Sequence, residues 1–470
     1  MTSDVSQAQP PARLRQRALA AGVWALGAHG FDLAVSMISN LIMTRLLFPE
    51  AFGIVAAAAA PIVGLALISD FGVNAVIVQS RRGEDDDFLR SAWVFQLLRG
   101  LLIWAILVAF CLVISIPAIH DRFPIESVYA NHLFPPVTAM MGLGLVLTHA
   151  ESTAVILNHR RLNQKPIVLL GMSSRILALP IMIAWAWVMP SVWAFVGGSL
   201  AGGMIRVILS HTMVPGPRMA LVWKRDHIRE IVHFGKWIAV SSFASFISQQ
   251  SDVVLFGFLL PTSTLGIYAI AKLLGGAAEG VIDRLNSTLA LPILGEVIRK
   301  DPGNLRDRYY GFRLPIDGLA ALFSGGLIAT GHLIVGILYD PRYAEAGTML
   351  QILAIGIALY PFHLIRSAFT ATGDTHVVAS VTIVQAISLL VCISTGYTVF
   401  GTFGAIAGVA VHRLFPSAVI MFLAQKRNWL SIWHELRIIP IFIFGIILGE
   451  IVVATANILG FNEIHHIWHR

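Results

Sequence analysis

Long apolar runs limit the fold of this chain more than any other feature. Thirteen runs are long enough to cross about 30 Å of hydrocarbon as helices. They cover residues 20–44, 51–70, 91–117, 132–157, 166–188, 191–212, 232–258, 264–294, 314–338, 347–371, 376–398, 402–424 and 437–459. Only 13% of the 470 residues are charged, against about 25% in a soluble domain. The solvent for most of the chain is therefore lipid.

Each run is predicted to be a helix, because backbone groups in lipid must be hydrogen-bonded within their own segment. The sequence lacks the alternating pattern of a membrane barrel. The first run follows a basic N-terminus and is too long for the apolar core of a signal peptide, so we interpret it as an uncleaved span. We expect an all-α polytopic membrane protein.

Lys and Arg are distributed unevenly between the two sides of the membrane that the runs define. If the N-terminus is cytoplasmic, 22 of these residues lie in cytoplasmic segments. The outside segments then hold Arg45, Arg122, Arg342 and Arg470. Because basic residues are retained on the cytoplasmic side, the bias predicts a multi-pass protein with a cytoplasmic N-terminus. The same rule explains the net charge of +7, so no nucleic-acid partner is expected.

One turn of the sequence occurs twice. The stretch LLFPEAFGIVA around Pro49 is repeated as LLPTSTLGIYA around Pro261, and this alignment places Asn40 on Asp252. Six runs separate the copies, and an even number of spans keeps their orientation in the membrane. The repeat therefore predicts two parallel lobes related by an axis along the membrane normal.

The predicted fold class is two six-helix lobes around a central cavity, with about one extra C-terminal helix. The predicted segments are a cytoplasmic tail (1–19), an N-lobe (20–212), a cytoplasmic link (213–231), a C-lobe (232–424), and an additional helix with its tail (425–470).

Polar residues recur at helical spacing in the first and seventh runs. They are His29, Asp32, Ser36 and Asn40 in one run, and Ser241, Ser245, Gln249 and Asp252 in the other. The serines are also typical of a helix–helix packing seam, which stays an alternative. A charge at mid-bilayer costs roughly 2.5–3.5 kcal/mol, so the acidic residues favour a hydrated cavity.

Seven basic residues lie within the runs: Arg99, Arg175, Arg206, Lys272, Arg284, Arg366 and Arg413. Arg99, Arg206 and Arg366 are close to the cytoplasmic ends of their runs, where snorkelling accounts for them. Arg175 and Arg413 lie near mid-run and cannot easily snorkel.

The eighth run is the most polar. Lys272, Glu279, Asp283 and Ser287 share one helical face, and Arg284 lies beside it. Two interpretations stay open at this point. The charges either form an internal ion-pair network that fixes helix packing, or they line a wet cavity whose cations hold an anionic ligand.

The sequence predicts neither an enzyme nor a cofactor or metal site. The sixteen histidines are scattered, and Cys111 and Cys392 lie in apolar runs. A phosphate-binding Gly-Lys-Ser/Thr loop is missing from the sequence, so ATP is not the expected energy source.

The chain resembles the polysaccharide transporter (oligosaccharide flippase) family of the multidrug/oligosaccharidyl-lipid/polysaccharide exporter superfamily. The resemblance lies in TRLLFPEAFGIVA (44–56), SDFGVNAVIVQSRRGEDDDFLRSAWVFQ (69–96), QQSDVVLFGFLLPTSTLGIYAIAKLL (249–274), LALPILGEVIRKDPGNLRDRYYG (289–311) and MLQILAIGIALYPFHLIRSAFTATGD (349–374). It implies a bacterial inner-membrane protein that moves undecaprenyl-diphosphate-linked oligosaccharides by alternating access. It also suggests a polysaccharide polymerase or co-polymerase as a partner.

The resemblance and the charges together give a candidate substrate site. A hydrated cavity would hold the glycan, cations would hold the diphosphate, and Arg45 would lie at an outer gap. The candidates are Asp32, Asn40, Arg45, Arg175, Gln249, Asp252, Lys272, Glu279, Asp283, Arg284 and Arg413.

Two other functions compete with this prediction. A cation-coupled drug or metabolite antiporter of the same superfamily would rely on carboxylates, whereas basic residues are in excess in these runs. A membrane glycosyltransferase would need a sizeable external loop, and the predicted outside loops are short.

Overall fold

A computed structural model of the chain describes residues 11–69, 72–286, 291–300, 305–435 and 437–459. Within these ranges the backbone forms helices and loops, with one isolated bridge between Ser127 and Pro261. The predicted all-α polytopic fold is confirmed.

The first half of the described chain forms nine α-helices. These are α1 (Pro11–Leu46), α2 (Pro49–Ile68), α3 (Val73–Gln79), α4 (Asp86–Ile114), α5 (Pro117–His120), α6 (Phe134–Ala150), α7 (Ala154–Arg160), α8 (Gln164–Val188) and α9 (Trp193–Thr212).

The second half of the described chain forms ten more. These are α10 (Arg225–Leu259), α11 (Thr262–Leu285), α12 (Leu291–Lys300), α13 (Leu305–Leu338), α14 (Glu345–Ala358), α15 (Arg366–Ala371), α16 (Thr375–Val411), α17 (Leu414–Lys426), α18 (Ile432–Glu435) and α19 (Ile438–Ile458).

Fewer spans stand out in the described residues than the thirteen predicted runs, and changes of direction within the helices account for part of the difference. Eight helices of the described residues are long and apolar enough to cross a membrane, or nine if α6 and α7, bent by 59°, form one span. One of the eight, His376–Lys426, contains two predicted runs. The chain reverses inside it at Gly401, whose φ of 63° lies in the left-handed region that favours glycine.

The chain divides into two compact units. Unit 1 consists of Met1–Leu47, Pro61–Arg122 and His132–Phe243, and unit 2 of Phe48–Ala60, Phe123–Asn131 and Ala244–Arg470. These boundaries differ from the predicted lobes, because the first part of α2 belongs to unit 2 and α10 contributes to both units. The lobes at 20–212 and 232–424 stay a prediction from the repeat.

In unit 1, α8 packs against α1 and α9, and α4 packs against α6. A small apolar core that includes Ile77, Phe88 and Leu157 joins α3, α4 and α7. Arg160 stabilises the end of α3, because its Nη1 donates hydrogen bonds to the carbonyls of Ile77 (2.7 Å) and Ser80 (2.6 Å).

In unit 2, α13 packs against α14 and α19, and α11 packs against α14. The guanidinium of Arg313 on α13 is buried and binds both carboxylate oxygens of Glu435, at 2.6 and 2.7 Å. Its Nε also donates to Asp317 at 2.9 Å. The segment that leads into α19 is therefore tied to α13, which makes the C-terminal helix a part of unit 2.

The two copies of the repeated turn contact each other within unit 2. A Cβ on Gly53 would overlap the carbonyl of Thr262, and a Cβ on Gly266 would overlap the carbonyl of Pro49. Each glycine therefore faces the residue four positions before the other glycine. Glycine is required at both places because the backbones approach more closely than a side chain permits.

Candidate functional site

Unit 2 contains a cavity of about 800 Å³ between α10, α11, α14, α15 and α16. This volume lies within the range of ~300–1,000 Å³ that is usual for ligand sites. Sixteen of the 21 described lining residues are polar or charged. Because unsatisfied polar groups are costly in lipid, the lining indicates a hydrated space and not a hydrocarbon pocket.

One face of α11 supplies much of this lining. Tyr268, Lys272, Glu279 and Asp283 follow one another at spacings that place them on the same side of the helix. Lys272, Glu279 and Asp283 belong to the polar face that was predicted for the eighth run, whereas Ser287 lies outside the described residues.

Asp252 and Lys272 form the first ion pair of the cavity. Asp252 is 5% exposed, and its Oδ2 lies 2.6 Å from the Lys272 Nζ. The Tyr268 hydroxyl donates to the same oxygen at 2.6 Å. The cost of burying this carboxylate is thus offset by one cation and one hydroxyl group.

Arg413 and Glu279 form the second ion pair. The Arg413 Nη1 lies 2.7 Å from the Glu279 Oε1 and donates to the Gly356 carbonyl at 3.2 Å. Its Cζ lies 5.9 Å from the centre of the Tyr360 ring. The Tyr360 hydroxyl in turn donates to Asp283, so the three carboxylates of the lining all have partners inside unit 2.

Arg366 is the third cation of the lining, and its environment differs. Its Nη2 donates to the Thr382 Oγ1 at 2.9 Å. In the part of the chain that the structure describes, it forms no ion pair. Two basic residues of the cavity are therefore neutralised internally, while Arg366 is held by a neutral hydroxyl group.

The sequence suggested snorkelling for Arg366, and the structure adds that this residue lines the cavity. The predicted run 347–371 is not one straight helix, because α14 ends at Ala358 and a 3₁₀ turn covers Tyr360–His363. Pro361 inside this turn is the sequence signal for the break. The break places Arg366 on the separate helix α15, where it lines the cavity.

The structure brings six of the eleven predicted site residues together in this cavity: Gln249, Asp252, Lys272, Glu279, Asp283 and Arg413. Arg284 is exposed on α11 and is not among the lining residues.

The other predicted residues lie in unit 1. Asp32 on α1 and Arg175 on α8 pair with each other, with 3.0 Å between Oδ1 and Nε. Asn40 is half-buried on α1, and Arg45 is exposed near the end of that helix. Side chains of Ser241 and Ser245, from the predicted stripe on the seventh run, are outside the described part.

Sequence reasoning missed one further intramembrane pair in unit 1. Arg206 on α9 donates to both oxygens of Glu151, at 2.9 and 3.1 Å. For metals, the described residues contain no group of three His, Cys, Asp or Glu side chains that could hold an ion.

Comparison with known proteins places this geometry in context. A family described as "Polysaccharide biosynthesis protein" matches residues 42–346. A comparison with curated protein sequences gives no significant match.

Two solved transporters have a similar fold. The lipid II flippase MurJ in an inward closed conformation has a TM-score of 0.70 at 11% identity, with 92% of each chain covered. An inward-facing multidrug resistance MATE family transporter of the MOP superfamily has a TM-score of 0.62 at 13% identity, with 86% of this chain and 94% of the other covered. At such low identity the likeness shows a shared fold.

The long apolar helices and the polar cavity define a multi-pass membrane protein, and its fold is one that these two solved transporters share. The chain belongs to the polysaccharide biosynthesis protein family, because the family match covers well over half of its length. The polysaccharide family that the resemblance in the sequence indicated is thereby confirmed.

Proposed function

We propose that this chain is a flippase that translocates undecaprenyl-diphosphate-linked oligosaccharide repeat units across the bacterial inner membrane. It would act by alternating access during the synthesis of a surface polysaccharide, whether exopolysaccharide, O-antigen or capsule. The family match supports the polysaccharide context. The fold shared with a lipid II flippase supports a lipid-linked substrate.

The observation that carries the proposal is the distribution of charge in the unit 2 cavity. Asp252 and Glu279 are each neutralised by a cation of the chain itself. Arg366 has a hydroxyl partner and no carboxylate partner within the described part. An available guanidinium favours an anionic ligand such as a diphosphate, which offers it bidentate, charge-assisted hydrogen bonds.

The remaining lining suits the glycan. Gln249, Gln385 and Asn286 offer amide groups, which both donate and accept hydrogen bonds. Asp283 offers a carboxylate acceptor for sugar hydroxyls. Such a surface can exchange protein contacts for water as a polar head group passes, which a hydrocarbon lining cannot do.

The predicted site residues outside this cavity stay part of the proposal. We assign Arg45, Arg175 and Arg284 as further contacts for the anionic head group, and Asp32 and Asn40 as contacts for the glycan. A polymerase or co-polymerase that receives the translocated repeat unit is the proposed protein partner.

A transport assay with the purified full chain in proteoliposomes tests the function. Undecaprenyl-diphosphate-linked oligosaccharide is loaded into the membrane, and its glycan is scored for accessibility to an impermeant glycosidase over time. We expect the protein to accelerate exposure of the inner-leaflet pool relative to protein-free vesicles. An unlinked oligosaccharide is the control and should not move.

The same vesicles separate the flippase from the competing antiporter. A cation-coupled antiporter would move a cationic dye such as ethidium when a proton or sodium gradient is imposed, and would leave the lipid-linked sugar in place. That result would overturn the proposed function.

A further inference from the structure

We propose that Arg366, with Thr382, Ser367 and Thr370 around it, forms an anion subsite in the unit 2 cavity that binds the phosphate group of a membrane lipid. The assignment of this phosphate to the transported substrate rests on the proposed function. The subsite itself is argued from the contacts of these four residues.

The first argument is that the guanidinium is held in place without being neutralised. The Thr382 Oγ1 accepts a hydrogen bond from the Arg366 Nη2 at 2.9 Å and donates its own proton to the Val378 carbonyl at 2.9 Å. Thr382 therefore acts as a fixed acceptor that orients the guanidinium. Because a guanidinium carries five N–H donors, a bidentate ligand can bind while this contact persists.

The second argument comes from the hydroxyl groups beside it. Ser367 and Thr370 both line the cavity on α15. The Ser367 hydroxyl reaches the Asn286 Oδ1 only at 3.5 Å, and the Thr370 hydroxyl donates to the Arg366 carbonyl at 3.1 Å. Hydroxyl groups rotate, so both can turn to donate to phosphate oxygens in the cavity that Arg366 also lines.

The third argument is the contrast with the other two cations of the lining. Lys272 lies 2.6 Å from Asp252, and Arg413 lies 2.7 Å from Glu279. An anion that bound at either cation would have to displace a carboxylate and leave it unpaired, which is costly away from water. Binding at Arg366 requires no such exchange, so this residue is the favoured position for an anion.

A binding measurement on the full chain in nanodiscs tests the subsite. The probes are undecaprenyl diphosphate, phosphatidylglycerol and inorganic pyrophosphate. We expect Arg366→Ala to weaken lipid binding by about tenfold or more, as expected for the loss of charge-assisted hydrogen bonds. Arg366→Lys should recover part of this loss, and Thr382→Val should show a smaller decrease because the guanidinium is no longer oriented.

The matched control is Arg306→Ala, which removes the same charge from an exposed position on α13 and should leave binding unchanged. The three probes identify the source of the phosphate. Preference for undecaprenyl diphosphate indicates the substrate, equal binding of phosphatidylglycerol indicates a phospholipid head group, and binding of pyrophosphate alone refutes a lipid ligand.

Equal affinities of the wild type and Arg366→Ala for all three probes would overturn the subsite, and so would failure of the wild type to bind any of them. If Arg366→Ala does not fold, the affinities of Arg366→Lys and Thr382→Val for the probes are compared with those of the wild type. Unchanged affinities in both variants would then overturn the subsite. If Arg366→Ala transports at the wild-type rate and binds the probes as the wild type does, the subsite is refuted and the proposed flippase function is retained. If binding depends on Arg366 but the protein transports no lipid-linked sugar, the subsite is supported and the flippase function is refuted.

Discussion

At the scale of single residues, the pair of Lys272 and Asp252 joins two neighbouring helices through a buried carboxylate. We expect Lys272→Met to destabilise the protein by ~3–5 kcal/mol, because it leaves that carboxylate without its cation. Adding Asp252→Asn should restore most of the loss, since a neutral amide can still bond to the Tyr268 hydroxyl. Thermal unfolding in detergent, followed by size-exclusion chromatography, measures both effects. Equal losses in the single and double variants would contradict this account.

A second pair lies outside the membrane-spanning segments. Hydrogen bonds from Arg427 and then Thr372 lower the pKa of Asp374 from 3.8 to about 2. A pKa that is lower in the folded state stabilises the fold above the unfolded pKa and loses this effect as the pH falls toward the folded value. We therefore expect the loss of thermal stability in Arg427→Gln to be constant at neutral pH and to shrink between about pH 4 and pH 2. In a protein that also carries Asp374→Asn, the effect of Arg427→Gln on thermal stability should not change with pH over this window.

The sequence could predict which side chains are costly to place in lipid, but it could not predict which of them form ion pairs with each other. The acidic and basic residues on α11 were predicted to share a face, and the structure shows that Lys272 and Glu279 bind partners outside α11. Pairing depends on packing between segments far apart in sequence. The place of Arg366 in the cavity lining was not predicted for a related reason, because it depends on a helix break and not on the position of the residue in the apolar run.

At the scale of elements, the close contact between the two repeated turns gives a sharp test. Gly266→Ala should cost ~1–3 kcal/mol, because its Cβ would overlap the carbonyl of Pro49. The matched control is Gly280→Ala on the same helix, where a Cβ would meet no atom within 4 Å. There the substitution should be neutral or stabilising by up to ~1 kcal/mol, because alanine favours a helix. Melting temperatures in detergent compare the two, and equal shifts would argue against the contact.

The long apolar runs predicted where helices lie better than where they break. Hydropathy is averaged over about 20 residues, so it identifies segments that lie in lipid but does not detect a local change in the direction of the backbone. The bend between α6 and α7 and the 3₁₀ turn before α15 leave the average hydropathy of their runs high. The 3₁₀ turn nevertheless places Arg366 on a separate helix, where it lines the cavity.

At the scale of the whole molecule, the uneven distribution of Lys and Arg predicts a cytoplasmic N-terminus. Ile125 and Leu221 are 95% and 80% exposed, and they lie in segments predicted to be outside and inside. In a chain without Cys111 and Cys392, we expect Ile125→Cys to react with an impermeant maleimide on intact spheroplasts. Leu221→Cys should react only after lysis. The opposite pattern would reverse the orientation of every span.

The fold class of the whole molecule was accessible from the sequence, because lipid solvation dictates helices whatever their packing. The division into compact units was not. Its boundaries run through α2 and α10, and a helix that contributes to two units has no composition shift to mark the division.

The contact between Gly53 and Gly266 also bears on the order in which the protein can fold. It joins backbone segments that are more than 200 residues apart in the sequence, so its formation carries the entropic cost of closing a long loop. During synthesis, the start of α2 enters the membrane well before α11 has been made. The first copy of the repeated turn therefore spends the intervening elongation without its native neighbour, and lipid or an insertion factor has to shield its backbone until the second copy arrives.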